Sequence, residues 1–250
     1  HNNWISNVSG TGTVLQSVLL ENNKMFLIVN NSMENCTGPS FLSASGGRIS
    51  HLEVSNNEMK NLIFPHNLIN IDMLTHKGKI SMVNNTLINN TLLASSDDLH
   101  SKLSFIAMTI EANIAWDVIY FDEWKLIENT FNNTKSFSQY GQMNPLFSLL
   151  LGNSTVYFRN STFERTVFNS NGNSMFYVTA YYVQLINCSF DGAFIVSGTS
   201  VFNLLATMVH FFDSTFINMR TPNGKGPILI NPYPYLTQTI LALFRNNTFK

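Results

Sequence analysis

Charge is scarce in this chain. Of 250 residues only 12% are Asp, Glu, Lys or Arg, and the net charge is -1, about half the charged share usual in globular domains. No basic field exists to attract phosphates, which excludes nucleic acid as an expected partner. Long apolar runs are missing too. No uninterrupted stretch of about 18 apolar residues occurs, so no membrane span is expected in the chain. There is no Gly-rich phosphate loop and no Ser nucleophile elbow. The six histidines (His1, His51, His66, His76, His100 and His210) have no metal-ligand spacing with one another or with Cys. No metal and no cofactor are expected. An initiator Met and a signal peptide are also missing, and the chain starts inside a repeat. It therefore reads as one domain over 1–250, a window of a longer repeat protein.

Asn, Ser and Thr stand in for the missing charge. Asn pairs recur at Asn22-Asn23, Asn30-Asn31, Asn56-Asn57, Asn84-Asn85, Asn89-Asn90, Asn132-Asn133 and Asn246-Asn247. Apolar residues make up 44% of the chain and interleave with these pairs at regular intervals, which argues against a disordered Asn-rich tract. Seven segments share one eight-residue shape: Phe26 to Met33, Leu52 to Met59, Ile80 to Leu87, Val156 to Phe163, Val183 to Phe190, Val209 to Phe216 and Ala242 to Phe249. Two weaker copies are read at Leu103 to Ile110 and Trp124 to Phe131, and the end of a further one at Trp4. Each shape ends on an apolar anchor. Apolar residues stand seven and five places before it, Asn dominates three before and Ser or Thr is usual one before.

An offset of two between apolar residues is strand periodicity, with both side chains on one face. The anchor breaks that parity, so the chain must bend at the Asn. Asn tolerates the left-handed backbone of a tight bend, and stacked amides donate to and accept from one another. A second strand signal precedes most copies, for example Ile69 to Met73, Phe176 to Val178 and Val201 to Leu205. The expected fold is therefore all-β: a right-handed parallel β-helix of about nine coils and about three strands per coil. Its mean period is about 27 residues, and an Asn ladder runs along one bend (Asn30, Asn56, Asn84, Asn160, Asn187 and Asn246). Longer coils are expected to bulge at Asn132 to Asn144 and Arg220 to Pro234. A leucine-rich horseshoe lacks its consensus here, and helical repeats lack their helix formers. A β-propeller is the remaining rival.

Asn at a bend between two strands, stacked coil on coil, resembles the pectin-lyase-like right-handed β-helix superfamily. Thr215-Phe216-Ile-Asn218 and Thr130-Phe131-Asn-Asn133 resemble the Phe-x-x-Asn style of polymorphic surface-protein repeats and the Asn-rich β-helical ectodomains of ciliate surface proteins. The resemblance spans nearly the whole chain and implies a fold and a cell-surface setting.

Ten Asn-x-Ser/Thr sequons add to that expectation: Asn7, Asn30, Asn35, Asn84, Asn89, Asn132, Asn153, Asn160, Asn187 and Asn246. An Asn- and Thr-rich repeat also generates sequons by composition alone. The ladder set is expected to be buried and free of glycan, and Asn35 and Asn89 to share the inward face of their anchors. Asn7, Asn132 and Asn153 are then the glycosylation candidates. Cys36 and Cys188 lie coils apart, too far to pair within one rod. They read as small stacking residues beside the bend, or as intermolecular bridges. The acids (Asp72, Asp97-Asp98, Asp117, Asp122-Glu123, Asp191 and Asp213) are scattered. No two are expected to meet one coil apart, and Asp213 and Glu128 read as ladder substitutes. His210 is expected to point outward. Tyr181-Tyr182 and Tyr233-Pro-Tyr235 could hold sugar or a neighbouring subunit, or simply pack.

The leading expectation is a non-enzymatic extracellular structural protein. It would form a rod, coat or filament at a cell surface, bear N-linked glycans and associate or continue end to end. An adhesin or receptor-like module binding glycans or proteins is the first alternative. A polysaccharide lyase or hydrolase is the second.

Overall fold

The computed structural model describes residues 2–10, 13–18, 25–38, 40–45, 51–64, 67–73, 79–93, 106–110, 118–133, 147–151, 154–170, 174–195, 200–221, 226–231 and 241–250. Among these no helix occurs, and none is long and apolar enough to cross a membrane. Every strand pairing is parallel. The strands form three sheets of nine, fourteen and five members, and each strand pairs with its counterpart one turn of chain away. This is a parallel β-helix of about nine coils.

The nine-stranded sheet fixes the coil count. Its central residues, in register from one end to the other, are Ile5, Met33, Met59, Leu87, Leu126, Phe163, Phe190, Phe216 and Phe249. These define coils one to nine. The fourteen-stranded sheet carries two strands per coil. In coils two to six and in coil nine they are separate, as in Ile69–Met73 and Lys79–Val83 of the fourth. In coils seven and eight they fuse into single eleven-residue strands, Phe176–Ile186 and Phe202–Phe212. The five-stranded sheet is a short fourth side, running from Ile63–Phe64 to Phe194–Ile195.

The seven strong sequence copies lie in mutual register: Phe26, Leu52, Ile80, Val156, Val183, Val209 and Ala242 share one column. The two weak copies do not. One coil fills the gap between Leu87 and Phe163. Its strand is Val118–Asp122, its column member is Ile119 and its anchor is Leu126. Ile106–Ile110 belongs to the preceding strand of the long sheet, and Phe131 to the short sheet, where it pairs with Leu92 and Phe168. At the start of the chain the anchor is Ile5. Trp4 faces outward, 72% exposed. Apolar alternation alone produced these misfits, because it runs along every strand and identifies none of them.

Equivalent positions on successive coils are 26 to 28 residues apart over most of the rod and 39, 37 and 33 in the three long coils. The true mean period therefore exceeds 27. The expected bulge at 132–144 falls mostly outside the described residues, and the one at 220–234 is interrupted by the strand Ile228–Asn231 of the long sheet.

The core is stacked like to like. Phe163, Phe190, Phe216 and Phe249 form one aromatic column, with ring centroids 4.6, 5.2 and 4.9 Å apart and planes within 9° of parallel. Phe147, Phe176 and Phe202 form a second, at 4.7 and 4.8 Å. These separations match the strand spacing of about 4.8 Å, so sheet pairing sets the ring stacking. Coils one to five use Ile, Met and Leu at the anchor instead.

Candidate functional site

Two bends flank each anchor strand, and together they hold all sixteen described non-glycine residues with positive φ. The first bend carries Asn2, Asn30, Asn56, Asn84, Glu123, Asn160, Asn187, Asp213 and Asn246, with φ between 49° and 59°. The second, five residues on, carries Asn7, Asn35, Asn61, Asn89, Glu128, Arg165, Gly192 and Asn218. The left-handed backbone disfavours a Cβ, and Asn pays the least among residues other than Gly. Sequence reasoning found the first column and missed the second. The signal was present as Asn at i and i+5, in 2/7, 30/35, 56/61 and 84/89.

The first-bend amides do form a ladder. Asn84 donates Nδ2–H to Asn56 at 2.9 Å, Asn187 to Asn160 at 3.0 Å and Asn246 to Asp213 at 3.1 Å. All six predicted ladder residues are exposed, however, not buried. An αL residue at an outside corner points its side chain away from the axis, so burial gives them no shield against glycan. Asn35 and Asn89, expected inward, are exposed on the second bend. Glu123, not Glu128, replaces Asn on the first bend, and Glu128 stands on the second.

The buried ladder lies one residue later. Asn57 accepts from both the backbone N–H and Nδ2–H of Asn31 at 3.0 Å, and Asn85 accepts from Asn57 at 3.2 and 3.0 Å. Five coils also supply a donor to the carbonyl two residues before the bend of the coil below. The donor is Asn57 Nδ2 to Ile28 (3.0 Å), Asn85 Nδ2 to Val54 (2.8 Å), Trp124 Nε1 to Met82 (2.6 Å), Cys188 Sγ to Phe158 (3.4 Å) and Asn247 Nδ2 to Phe211 (2.8 Å). A buried carbonyl must be paired, and three residue types meet that demand here. Asn90 and Asn129 repeat the device at the second bend. Both cysteines are free and buried. Each sits just after a bend with its Sγ near backbone carbonyls, which favours the stacking reading over bridging.

The acids come together at one place, against expectation. Glu164 and Asp191 are in register on adjacent coils. Arg165 lies beside them, its Nε 3.0 Å from Glu128 and its Nη1 3.5 Å from Glu164, and Asn218 donates to Asp191 at 3.0 Å. This is an exposed network along the second bend, with each carboxylate engaged by a neighbour. Among the described residues no group of three His, Cys, Asp or Glu could hold a metal ion.

A second cluster lies on the outer face of the long sheet. Tyr120 and Tyr157 are in register and stack at 5.2 Å. The Arg159 guanidinium lies 4.4 Å from the Tyr157 ring centre and 5.2 Å from that of Tyr120, with Lys79 5.3 Å from the latter. Tyr182 continues the strip edge-on to Tyr157 at 6.1 Å, and its hydroxyl meets Nδ1 of His210 at 2.8 Å. Burial, then the neighbouring Tyr157, pushes the Tyr182 phenol above its ordinary value. The imidazole tautomer sets which of the two groups donates in this bond. The Nε2 of His210 and the Nε of Arg159 are buried without a hydrogen-bond partner. His210 is on the outward parity, as expected, and half-buried. Tyr120, Tyr157 and Arg159 escaped sequence reasoning because the coil of Tyr120 was misaligned.

Of the glycosylation candidates, Asn7 is an exposed second-bend residue. Asn132 lies on the short-sheet strand Thr130–Asn133. Asn153, like Tyr233 and Tyr235, lies outside the described residues.

The fold and these surfaces define a β-solenoid with two polar ridges and one aromatic strip. Compared with protein-family models and with curated proteins, the chain matches none.

Proposed function

We propose that this protein is a non-enzymatic structural rod of an extracellular or cell-surface layer, carrying N-linked glycans. One observation carries the reading. The same columns continue from coil to coil through the described solenoid, and the acids that depart from the Asn pattern occupy bend positions, where Glu128 and Asp213 pair with neighbours. Glu123, Glu128 and Asp213 each take the left-handed corner that Asn takes elsewhere. Association along the axis is part of the proposal.

Electron microscopy of material from the native source tests the reading. Rods joined end to end, or a periodic layer, are expected; isolated short particles at every concentration would sink it. A reducing-sugar assay on plant and microbial polysaccharides addresses the enzymatic alternative. Release that vanishes in Glu164→Gln or Asp191→Asn would replace the structural reading with a hydrolytic or lytic one.

The aromatic strip favours a second reading, a module that binds glycans. The row of tyrosines, with the Arg159 guanidinium over Tyr157 and Tyr120 at 4.4 and 5.2 Å, joins an aromatic face to a cation, which suits the ring face and hydroxyls of a sugar. Glycan-array binding lost in Tyr157→Ala would support it.

A further inference from the structure

The first-bend ridge spaces its sequons in a pattern that the ladder itself does not require. The corner needs a residue that tolerates positive φ, and Asn, Asp and Glu all serve. A sequon needs Asn, with a hydroxyl two residues on. From coil two to coil six the ridge reads Asn30-Asn-Ser, Asn56-Asn-Glu, Asn84-Asn-Thr, Glu123-Trp-Lys and Asn160-Ser-Thr. From coil seven to coil nine it reads Asn187-Cys-Ser, Asp213-Ser-Thr and Asn246-Asn-Thr. Coils three, five and eight are each broken as sequons, and by different means. Coil three loses the hydroxyl, coil eight loses the Asn and coil five loses both. The corner geometry is kept in all three.

Spacing gives the alternation a physical meaning. Neighbouring ridge positions are about 4.8 Å apart, narrower than a pyranose ring with its substituents. Sites on every second coil are about 9.6 Å apart and leave room for one sugar each. Only Asn160 and Asn187 are sequons on consecutive coils, and their side chains touch, Nδ2 to Oδ1 at 3.0 Å. The ladder and a glycan are compatible. Amides stacked by translation donate through the hydrogen trans to their own oxygen, whereas a glycan bonded in the usual trans-amide geometry replaces the other one.

We propose that this ridge is a line of N-glycosylation sites filled on alternate coils: Asn30, Asn84, one of Asn160 and Asn187, and Asn246. The proposal rests on the extracellular reading above and reverses the expectation that the ladder set is shielded.

The test expresses the full chain behind a secretion signal in a eukaryotic cell. Site occupancy is read by mass spectrometry after enzymatic deglycosylation in heavy-oxygen water. Asn30, Asn84 and Asn246 should be occupied, and the fractional occupancies of Asn160 and Asn187 should sum to no more than one. Thr162→Ala removes the first sequon of that pair without touching its corner Asn, and should raise Asn187 occupancy to the former sum of the two sites. Ser189→Ala should do the same for Asn160. Secreted protein with sugar on Asn7, Asn132 or Asn153 and a bare ridge would overturn the inference and leave the extracellular reading standing. Full occupancy of both Asn160 and Asn187 would overturn the alternation. Native protein without any glycan would instead sink the extracellular reading, and the inference with it.

Discussion

Asn56 and Asn57 are neighbours of one type with opposite roles. Asn56 supplies a left-handed corner (φ 55°) and an exposed amide. Asn57 is 1% exposed and satisfies groups on both adjoining coils. Asn56→Gly should therefore change the denaturation midpoint little, since Gly adopts the same φ at small cost. Asn57→Ala strands the Asn31 N–H and the Ile28 carbonyl in the core. The expected loss is about 2–6 kcal/mol, at about 1–3 kcal/mol per buried unpaired group. Equal effects of the two changes in urea unfolding would refute the assignment of roles. Cys188 fills the equivalent buried position on coil seven, and burial pushes its thiol up to about 12. The protonated thiol is the neutral form and the fold favours it. That contribution is complete below about pH 9, the ordinary thiol range, and is lost as pH rises from there towards 12. Wild type should thus lose stability through this window relative to Cys188→Ser, which Ser161 and Ser214 model in the neighbouring coils of the same column. Parallel pH profiles would contradict this.

At the scale of the element, the repeating unit is a pair of corners around a three-residue strand, such as Glu58–Lys60 or Thr162–Glu164. Each corner costs about 1–2 kcal/mol for a residue other than Gly or Asn, yet Glu123, Glu128 and Arg165 stand there. The Arg165–Glu128 ion pair at 3.0 Å is more than half exposed at each side chain, and such pairs offset little. Sheet pairing on both sides holds those corners. Gly192 (φ 70°) is the glycine in that column, and a Cβ there meets only ordinary contacts with Arg165 at 3.6 Å. Gly192→Asn should be neutral or stabilising by up to about 1 kcal/mol, because it restricts the unfolded chain and retains the corner. A fall in midpoint would count against the corner model. Gly38 differs: at φ 103° a Cβ would strike the Gly10 carbonyl.

The whole molecule is quasi-one-dimensional, each coil resting on the next. Phe176, in coil seven, is the hub of the aromatic core. It stacks on Phe147 and Phe202 and meets Phe163 and Phe190 edge-on at 5.2 and 6.0 Å. Phe176→Ala should cost about 3–5 kcal/mol and should split unfolding into two transitions by weakening the contact between coils six and eight. A single transition of unchanged midpoint would show that the column carries no such weight. Because the coils around the lost ring then open first, Phe176→Ala should also unmask Cys188 to thiol reagents before Cys36.

Sequence patterning by itself determined the columns. Apolar alternation broken by Asn, repeated at near-constant intervals, is enough to infer a parallel β-helix of about nine coils. Seven of its coils can be aligned residue by residue. Where Glu123-Trp124 replaced the Asn pair, that pattern fell silent and two false copies took the place of one true coil. Only the tertiary structure decided which Asn of each pair faces the core, that a second corner follows five residues later, and that Glu164 meets Asp191 while Tyr120 meets Tyr157. The reason is geometric. A repeat fixes which residues are equivalent, but φ at the corner fixes which way each one points. Contacts between coils depend on loop lengths that vary outside the repeat.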